Sequence, residues 1–464
     1  MTDWCPDLSA SNAPRYIAIA DAIEADLRAG KLTPGDRLPA QRQLAGMLGL
    51  DFTTVARGYT EARRRGAISS LVGSGTFVTG TGTPPGGPLP VRDGNRGTSP
   101  DFSMNLPPEP EAPELIGRMR EGLAAVSADI VPLLRYQTFD PDAPDRLAAA
   151  RWLGGTGLAS QPEEILFAAG SQAALASILM TIARPGERIA CERITYPGIR
   201  SLCGQMQLDL LGLPQDDDGV DPDAFRHACK AGRLRALYLN PTIQNPTTRT
   251  ITEQRRKELA RIAQHHGVAI LEDDPYGMLS RNAPPPFAAL APDVTWYVGS
   301  LSKCIGAGLR LAYVTAPDRS AGWQFARVQR TSSVMVSPLT ARLATRWIED
   351  GTAKALLRHV RSESAARQTL AARYLKDFVF RADPDGFHLW LELSNGWTRS
   401  AFVSQMRSQP IGFAESDPFT VGGPAGEAVR LCLGGPVDRA RIESALSVIG
   451  ETLATSPEKT SAYF

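Results

Sequence analysis

Apolar residues near the start of the chain recur at helical spacing. Ile19, Ile23 and Leu27 follow one another at four-residue spacing, which places them on one face of a helix. A second apolar stripe stops at Gly49, and a third stretch, which carries Val55, follows after a turn. The pattern therefore predicts three consecutive helices.

Two strand-like runs, residues 67–69 and 76–78, follow the third predicted helix. Gly73 and Gly75 lie between them and supply the positive φ that a tight hairpin turn needs. Helix, helix, turn, helix and β-hairpin is the order of a winged helix-turn-helix domain. We assign that domain to residues 12–79.

Residues 80–100 are mostly Gly, Pro, Thr and Asn with few apolar side chains, a composition that cannot bury a core. We expect a flexible linker there. Beyond it, apolar runs alternate with helical stretches; the runs are 165–167, 188–190, 236–239, 268–271 and 296–298. This alternation predicts an α/β body over residues 101–455, with a mostly parallel sheet flanked by helices on both faces.

Charge is distributed unevenly along the chain. The formal net charge of all 464 residues is +1, yet residues 12–79 hold nine Lys and Arg against six Asp and Glu. Arg63, Arg64 and Arg65 could be no more than a solvated helix end. Together with the winged helix pattern, however, the local excess predicts binding to DNA phosphates. The DNA-binding candidates are Arg42, Thr53, Thr54, Arg57, Gly73 and Gly75.

Several other classes of protein are disfavoured. The six cysteines are scattered without a CxxC pair and there are five histidines, so neither a disulfide framework nor a metal site is expected. No long apolar run suggests a membrane span, and the first residues lack the basic-then-apolar order of a signal peptide. We expect a cytoplasmic protein.

The most informative chemistry surrounds Lys303. Ser300 and Ser302 precede it and Arg310 follows seven residues later. A lysine can bond covalently to an aldehyde, while hydroxyls and a guanidinium suit a phosphate dianion. An aldehyde cofactor that carries a phosphate is pyridoxal 5′-phosphate, and we expect it here with Lys303 as the catalytic residue.

Further polar residues follow the predicted strands, where ligands bind in parallel sheets. Ser171 and Gln172 open a helix after 165–167 and could hold the phosphate. Asp273 ends the run 268–271, where a carboxylate needs a cationic partner such as a pyridinium nitrogen. Taken alone, Ser171 and Gln172 could be no more than a helix cap, and Asp273 could be a turn or core residue.

Three more side chains complete the candidate cofactor site. Tyr276 and Asn245 could both bond the phenolic oxygen of the ring, and Tyr196 could stack on its face. Each has an ordinary alternative as a turn or core residue. Their order within one domain is what favours a common site.

These motifs resemble two known families. The body resembles the fold-type I aminotransferases through Gly170-Ser171-Gln172, Thr195-Tyr196-Pro197, Asn245-Pro246-Thr247, Asp273-Asp274-Pro275-Tyr276 and Ser300-Leu301-Ser302-Lys303. The head resembles the GntR winged helix through Pro34-Gly35-Asp36-Arg37-Leu38-Pro39, Gln41-Arg42-Gln43-Leu44-Ala45 and Gly73-Ser74-Gly75-Thr76-Phe77-Val78. The combination resembles the MocR-type regulators.

The resemblance implies roles for individual residues. Lys303 would bind the cofactor aldehyde, and Asp273 would pair with its ring nitrogen. Tyr136 would reach the phosphate of a neighbouring subunit, which implies a homodimer. Arg430 would grip the carboxylate of an amino acid. A small α+β subdomain is expected at the C-terminal end.

The chain also departs from the family pattern. Thr248 stands where a glycine usually follows Asn-Pro-Thr, and the glycine common after the phosphate tyrosine is missing after Tyr136. Both changes add bulk near the pocket, which disfavours efficient turnover more than cofactor binding. In the head, Phe52 stands where an arginine is common.

Three functions compete at this point. The chain could be a regulator that senses a small amine or amino acid through its cofactor, which we favour. It could be a working aminotransferase with an accessory DNA-binding head, or a regulator whose body only dimerises. The resemblance allows γ-aminobutyrate, taurine, diamino acids, D-alanine peptides or the cofactor itself as effector, and Arg430 favours one with a carboxylate or sulfonate.

Overall fold

A computed structural model describes residues 4–8, 13–33, 35–65, 67–71, 75–78, 101–137, 141–406, 409 and 411–457. The chain divides into two compact units, Met1–Asn95 and Arg96–Phe464. We call the first unit the head and the second unit the body. Gly73 and the predicted linker at 80–100 lie outside the described residues.

The head has the predicted three helices and hairpin. Its elements are α1 (Arg15–Arg28), β1 (Arg37–Leu38), α2 (Gln41–Leu48), α3 (Phe52–Arg64), β2 (Ile68–Leu71) and β3 (Gly75–Val78). The strands form an antiparallel sheet in the order β1-β3-β2. Strand β1 was not predicted, because two residues are too few to show a period.

Close helix packing holds the head together. Ile19, Val55 and Tyr59 are fully buried. A Cβ at Gly58 would lie 2.9 Å from Cβ of Ile19, so the absence of a side chain lets α1 and α3 approach each other. The Asp51 carboxylate caps α3 by accepting a hydrogen bond from a backbone N–H of the first turn.

The body is an α/β layered structure. Its helices are α4 (Pro113–Ser127), α5 (Ile130–Leu133), α6 (Ala143–Leu153), α7 (Ser171–Ile182), α8 (Pro197–Gln205), α9 (Pro222–Lys230), α10 (Glu253–His266), α11 (Phe287–Leu290), α12 (Arg319–Ser333), α13 (Pro338–Glu349), α14 (Thr352–Tyr374), α15 (Arg399–Met406) and α16 (Arg439–Ala454). Its strands are β4 (Ile165–Ala168), β5 (Arg188–Glu192), β6 (Asp209–Leu213), β7 (Gln215–Asp216), β8 (Gly219–Val220), β9 (Leu234–Leu239), β10 (Ala269–Asp273), β11 (Thr295–Ser300), β12 (Ala312–Thr315), β13 (Phe380–Ala382), β14 (His388–Glu392), β15 (Ala414–Glu415) and β16 (Ala428–Cys432).

Seven strands form the central sheet, in the order β4-β12-β11-β10-β9-β5-β6. The pairs β11–β10, β10–β9, β9–β5 and β5–β6 are parallel, and β12 alone runs antiparallel to its neighbours. All five predicted strands lie in this sheet. Side chains of alternate residues pack into separate apolar clusters, with Leu271 in one and Ile270 in another. The predicted α/β class and mostly parallel sheet are therefore confirmed.

The predicted C-terminal subdomain is also present. Strands β13-β14-β16-β15 form an antiparallel sheet that packs with α14 and α16 around a separate apolar core. Residues 101–108, which we call the strap, lie against this subdomain. The strap makes bridges at Asp101 to Gly412 and at Pro108 to Gly435, and the buried Phe102 receives a backbone hydrogen bond from Cys432.

Among the described residues, every helix is too short or too polar to cross a bilayer. The same residues contain no group of three or more His, Cys, Asp and Glu side chains placed to hold a metal ion.

Candidate functional site

The predicted cofactor residues gather beyond the carboxyl ends of the parallel strands. Asp273 is the last residue of β10 and Ser300 is the last residue of β11, and these strands are neighbours. Lys303 follows β11 by three residues. Arg430, on β16, faces the same region from the C-terminal subdomain, because its guanidinium bonds to Asn245 in the loop after β9.

Lys303 is partly buried, and its Nζ donates to the backbone carbonyl of Asn105, 2.5 Å away. Burial lowers the pKa of the amine to about 8, with the Arg430 and Arg310 charges acting in the same direction and Asp273 opposing them. Because an amine must be neutral to attack an aldehyde, this shift activates the lysine near neutral pH.

Asp273 has one satisfied and one unsatisfied carboxylate oxygen. Tyr238 donates its hydroxyl proton to Oδ2 at 2.9 Å, while Oδ1 is buried and has no partner among the described residues. Burial raises the pKa of this carboxyl to about 7. A ring N–H⁺ would supply the missing donor and restore the charged form, so this side chain fits a pyridinium nitrogen.

A second group fits the phosphate of the same cofactor. Gly170 has φ +87° and is the N-cap of α7, whose first residues, Ser171 and Gln172, are only partly buried. A Cβ at Gly170 would lie 3.0 Å from Nη2 of Arg310, so a glycine is needed for the guanidinium to reach the helix N-terminus. First-turn N–H groups beside an arginine make an anion site.

The serines before Lys303 lie at the end of β11. Ser300 is buried, and its Oγ accepts from the backbone N–H of Ser302 at 3.1 Å. Ser302 itself is partly buried. Both hydroxyls keep a proton to donate, as the predicted phosphate role requires.

Tyr196 and Gln172 lie together at the edge of the site. The Tyr196 hydroxyl is 3.5 Å from Oε1 of Gln172, whose Nε2 donates to the carbonyl of Gly198 at 3.3 Å. A Cβ at Gly198 would fall 2.2 Å from the Tyr196 ring. Gly198 therefore leaves room for the ring that we predicted to stack on the cofactor.

Tyr276 is held by a residue that sequence reasoning missed. Nδ2 of Asn105 donates to the Tyr276 hydroxyl oxygen at 2.7 Å, so the tyrosine proton remains free for another acceptor. Oδ1 of Asn105 is buried without a partner among the described residues. Asn105 thus contacts both Tyr276 and Lys303 from the strap.

Arg430 is 5% exposed and already engaged. Its Nη1 donates to Oδ1 of Asn245 at 3.0 Å, its Nη2 donates to the carbonyl of Ser103 in the strap, and its Nε is buried without a partner in the described chain. The guanidinium carbon also lies 5.3 Å from the ring centre of Phe419. An arginine with a free donor in a buried site can bind a ligand anion.

The loop that carries Asn245 has an unusual backbone. Thr248 and Ile243 have φ of +61° and +45°, although both are β-branched and both are buried. The Thr248 N–H donates to the carbonyl of Gln244 at 2.7 Å and closes the turn. The position where the family usually has glycine therefore keeps the left-handed conformation here with a threonine in it.

His388 on β14 is a second residue that the sequence did not reveal. It is fully buried, its ring centre lies 5.5 Å from that of Tyr276, and its Nε2 is 3.1 Å from the carbonyl of Gln244. Burial lowers the pKa of this imidazole to about 3, so it is neutral in the site. Tyr238 and Asn105 were also missed, because Tyr238 lies inside an apolar strand and Asn105 lies 198 residues from the lysine that it contacts.

Tyr136 is 86% exposed, so within one chain it lines no buried pocket. Ile130, Val131 and Leu134 on and next to α5 are 40, 63 and 67% exposed. This exposed apolar stretch is distinct from the cluster around Lys303.

In the head, the predicted DNA-binding side chains differ in exposure and in the contacts that they already make. Arg42 and Arg57 are exposed; Arg57 lies 4.3 Å from the ring centre of Tyr16. Thr54 is partly buried, and the Thr53 hydroxyl donates to the Asp51 carboxylate. The two arginines are thus the candidates best placed to meet phosphates.

Two family models match the chain. Residues 101–449 match "Aminotransferase class I and II", and residues 15–78 match "Bacterial regulatory proteins, gntR family". The chain belongs to the MocR-type transcription regulators. This confirms the resemblance drawn from the motifs, and a GntR head makes the protein a DNA-binding one.

Two relatives match this chain over most of their own length. An HTH-type transcriptional regulator of Bacillus subtilis, YdeF, described as uncharacterized, is 28% identical over 97% of this chain and 96% of its own. The vitamin B6 salvage pathway transcriptional repressor PtsJ of Salmonella typhimurium is 27% identical over 88% of this chain and 91% of its own.

A solved structure resembles the body of this MocR-type regulator. LysN, the α-aminoadipate aminotransferase of Thermus thermophilus, in complex with N-(5′-phosphopyridoxyl)-L-leucine, is 26% identical, with a TM-score of 0.67 over 76% of this chain and 92% of its own. The family, the fold and the fit of Asp273 together confirm pyridoxal 5′-phosphate as the cofactor.

Proposed function

We propose that this transcription regulator senses a small amine or amino acid through pyridoxal 5′-phosphate bound in its body. The observation that carries the proposal is the strap. Residues 101–108 contact both Lys303 and Arg430, and the chain runs from their first residue straight into the predicted linker of the head. A change at either cation therefore acts on the segment that leads to the DNA-binding domain.

We propose one role for each side chain of the cofactor site within a single chain. Lys303 would hold the aldehyde and Asp273 the ring nitrogen, and the cofactor would supply an electron-withdrawing ring when bound. The remaining proposed contacts are Tyr276 and Asn245 at the phenolic oxygen, Tyr196 at the ring face, and Ser171, Gln172, Ser300, Ser302 and Arg310 at the phosphate.

Arg430 is the proposed contact for the effector. A ligand carboxylate or sulfonate is a stronger acceptor for a guanidinium than a neutral carbonyl, because both partners are charged. Such a group would replace the Ser103 carbonyl on Nη2 or pair with the buried Nε. Loss of the Ser103 contact would free one attachment of the strap.

The switch requires a ligand that prefers one arrangement of the strap. A ligand shifts an equilibrium only by its difference in affinity for the two states. Contact with Nη2 of Arg430 provides this difference, since the Ser103 carbonyl of the strap and the ligand anion compete for that donor.

A homodimer is part of the proposal. The exposed Tyr136 and the neighbouring apolar residues 130–134 would be covered by a second copy, which Tyr136 would help to complete. Two heads in one dimer would then meet two DNA half-sites in the cytoplasm.

The alternative is a working aminotransferase with an accessory head. The low pKa of Lys303 favours it, because a lysine that is neutral near pH 8 can also serve as a general base. The threonine at position 248 disfavours it, since it adds bulk in the loop that positions Asn245.

The test combines DNA affinity with hydrogen exchange of the strap in full-length protein loaded with pyridoxal phosphate. γ-Aminobutyrate, taurine and D-alanyl-D-alanine are the probes. We expect at least one of them to change both DNA affinity and the exchange of amides in residues 101–108. If the probes bind but change neither DNA affinity nor the hydrogen exchange of the strap, the sensor proposal is contradicted.

A further inference from the structure

The first turn of the recognition helix presents an apolar side chain to solvent. Phe52 is the first residue of α3, the second helix of the helix-turn-helix, and 44% of it is exposed. The fully buried Val55 and Tyr59 of the same helix make the contacts to the head core. An exposed phenylalanine costs free energy in water, so an apolar contact from a binding partner would stabilise it.

Two exposed threonine hydroxyls of α3 already donate to acceptors within the head. Thr53 donates its hydroxyl proton to the Asp51 carboxylate, and Thr60 donates to the carbonyl of Ala56 at 2.8 Å. These bonds are local to the helix and its cap. Phe52 and Ala56, which are four residues apart and therefore on one side of α3, remain as apolar groups beside them.

Arg42 supplies a cation next to the Phe52 ring. Its guanidinium carbon lies 5.8 Å from the ring centre, it is exposed, and no carboxylate of the described residues lies within ion-pair distance. An unpaired guanidinium at this point favours a polyanion, so the ring sits where the helix would meet DNA.

We infer that Phe52 is a specificity-determining residue that contacts the 5-methyl group of a thymine in the major groove. Thymine is the base that presents a methyl group there, and phenylalanine and alanine are side chains suited to it. Ala56 lies one turn further along the same stripe. The inference rests on the proposed function only in requiring that the head binds DNA.

Uracil tests this contact because it differs from thymine by the methyl group alone. A preferred duplex is first selected from a random library with full-length protein, and each thymine in it is then replaced singly by deoxyuridine. We expect wild-type affinity to fall about fourfold at one thymine of each half-site, the factor for burying one methyl group.

Variants then assign the effect to the side chain. Phe52→Ala should bind the thymine and uracil forms of that position equally, and Phe52→Leu should keep part of the difference. Met47→Ala, which truncates another exposed apolar residue of the head, should keep the full wild-type difference. Circular dichroism confirms that each variant is folded.

Two results would overturn the inference. In one, no uracil substitution changes wild-type affinity; in the other, the difference persists in Phe52→Ala. Failure of DNA binding as a whole is separate, because it would leave no selected duplex and no salt-dependent affinity in the wild type.

Discussion

Burial acts in opposite directions on the two central ionisable groups. It lowers the pKa of Lys303 to about 8 and raises that of Asp273 to about 7, since in each case the charged form is poorly solvated. The result is a nucleophile that is partly neutral next to a carboxylate that lacks a cation. One ligand would suit both groups: its aldehyde would react with the Lys303 amine, and its cationic ring would pair with the Asp273 carboxylate.

The pH dependence of covalent loading follows from the lysine. We expect the rate at which apo protein attaches pyridoxal phosphate to rise about tenfold per pH unit below pH 8 and to level off above it. Borohydride fixation at timed intervals followed by peptide mass mapping measures the rate at Lys303. A midpoint near that of an exposed lysine would contradict the burial effect, and Lys303→Ala should give no adduct there.

Arg430→Ala tests the proposed effector contact. We expect it to weaken the effector response by about 2 to 5 kcal/mol while the cofactor still attaches to Lys303, because a buried ligand anion would lose its partner. Arg381→Ala is the matched control: Arg381 lies in the same sheet but pairs with Asp217 at 3.0 Å. Equal responses in both variants would show that another residue holds the effector.

Sequence reasoning found some site residues and missed others for a physical reason. Lys303 and Asp273 follow apolar strands, where a polar residue is conspicuous. Tyr238 lies inside a buried strand and reads as core, and Asn105 lies nearly two hundred positions from the lysine it contacts. Only the tertiary fold brings these two residues to the site.

Among the loops of the body, the loop after β9 has a backbone that the sequence did not predict. Its Thr248 occupies a conformation that costs an ordinary L-residue about 1 to 2 kcal/mol. Sequence comparison with the family pattern identified the missing glycine but could not show that the backbone would keep a glycine-like φ. The hydrogen bonds that close the turn hold it there.

At position 248 we expect a glycine variant to be more stable than an alanine variant, which reverses the usual order. Elsewhere, alanine is generally the more stable of the two by about 0.4 to 1 kcal/mol. We expect Thr248→Gly to unfold at a higher free energy than Thr248→Ala by about 1 kcal/mol, because only glycine adopts positive φ without strain. Urea denaturation of both variants measures the difference, and an alanine variant of equal or greater stability would contradict it.

In the head, the positive charges of Arg57 and Arg42 are expected to contribute to DNA binding. Arg57→Ala and Arg42→Ala are each expected to weaken DNA binding and to reduce the salt slope by about 1 if the side chain meets a phosphate. Titration at several salt concentrations measures the slope. Lys31→Ala is the control, since Lys31 pairs with Asp26 at 3.2 Å. Wild-type slopes in both arginine variants would place DNA on another face of the head.

The apolar pattern predicted the three helices of the head and five of the seven strands of the central sheet, and it missed β6 and β12. Strand β1 has two residues, which are too few to show a period. The antiparallel direction of β12 could not be predicted either, because side-chain alternation is the same in parallel and antiparallel strands. The pairing of strands is decided by contacts far apart in the chain.

In the whole molecule, the strap connects the residues around Lys303 to the part of the chain that leads to the head. It is fixed to the C-terminal subdomain through Asp101, Phe102 and Pro108, and it reaches Lys303 and Arg430 in between. The proposed sensor needs a segment that both contacts the pocket and continues toward the head. The strap meets both requirements in one stretch of chain.

The most direct test of the sensor proposal follows the cofactor absorption, the release of carbonyl product and the affinity for the selected duplex in one titration. Full-length protein loaded with pyridoxal phosphate is titrated with γ-aminobutyrate, taurine and other small amines. We expect one ligand to change absorption and DNA affinity over the same concentration range, with little product. Multiple turnover at about 1 to 10³ s⁻¹ with unchanged DNA affinity would contradict the sensor and establish the aminotransferase.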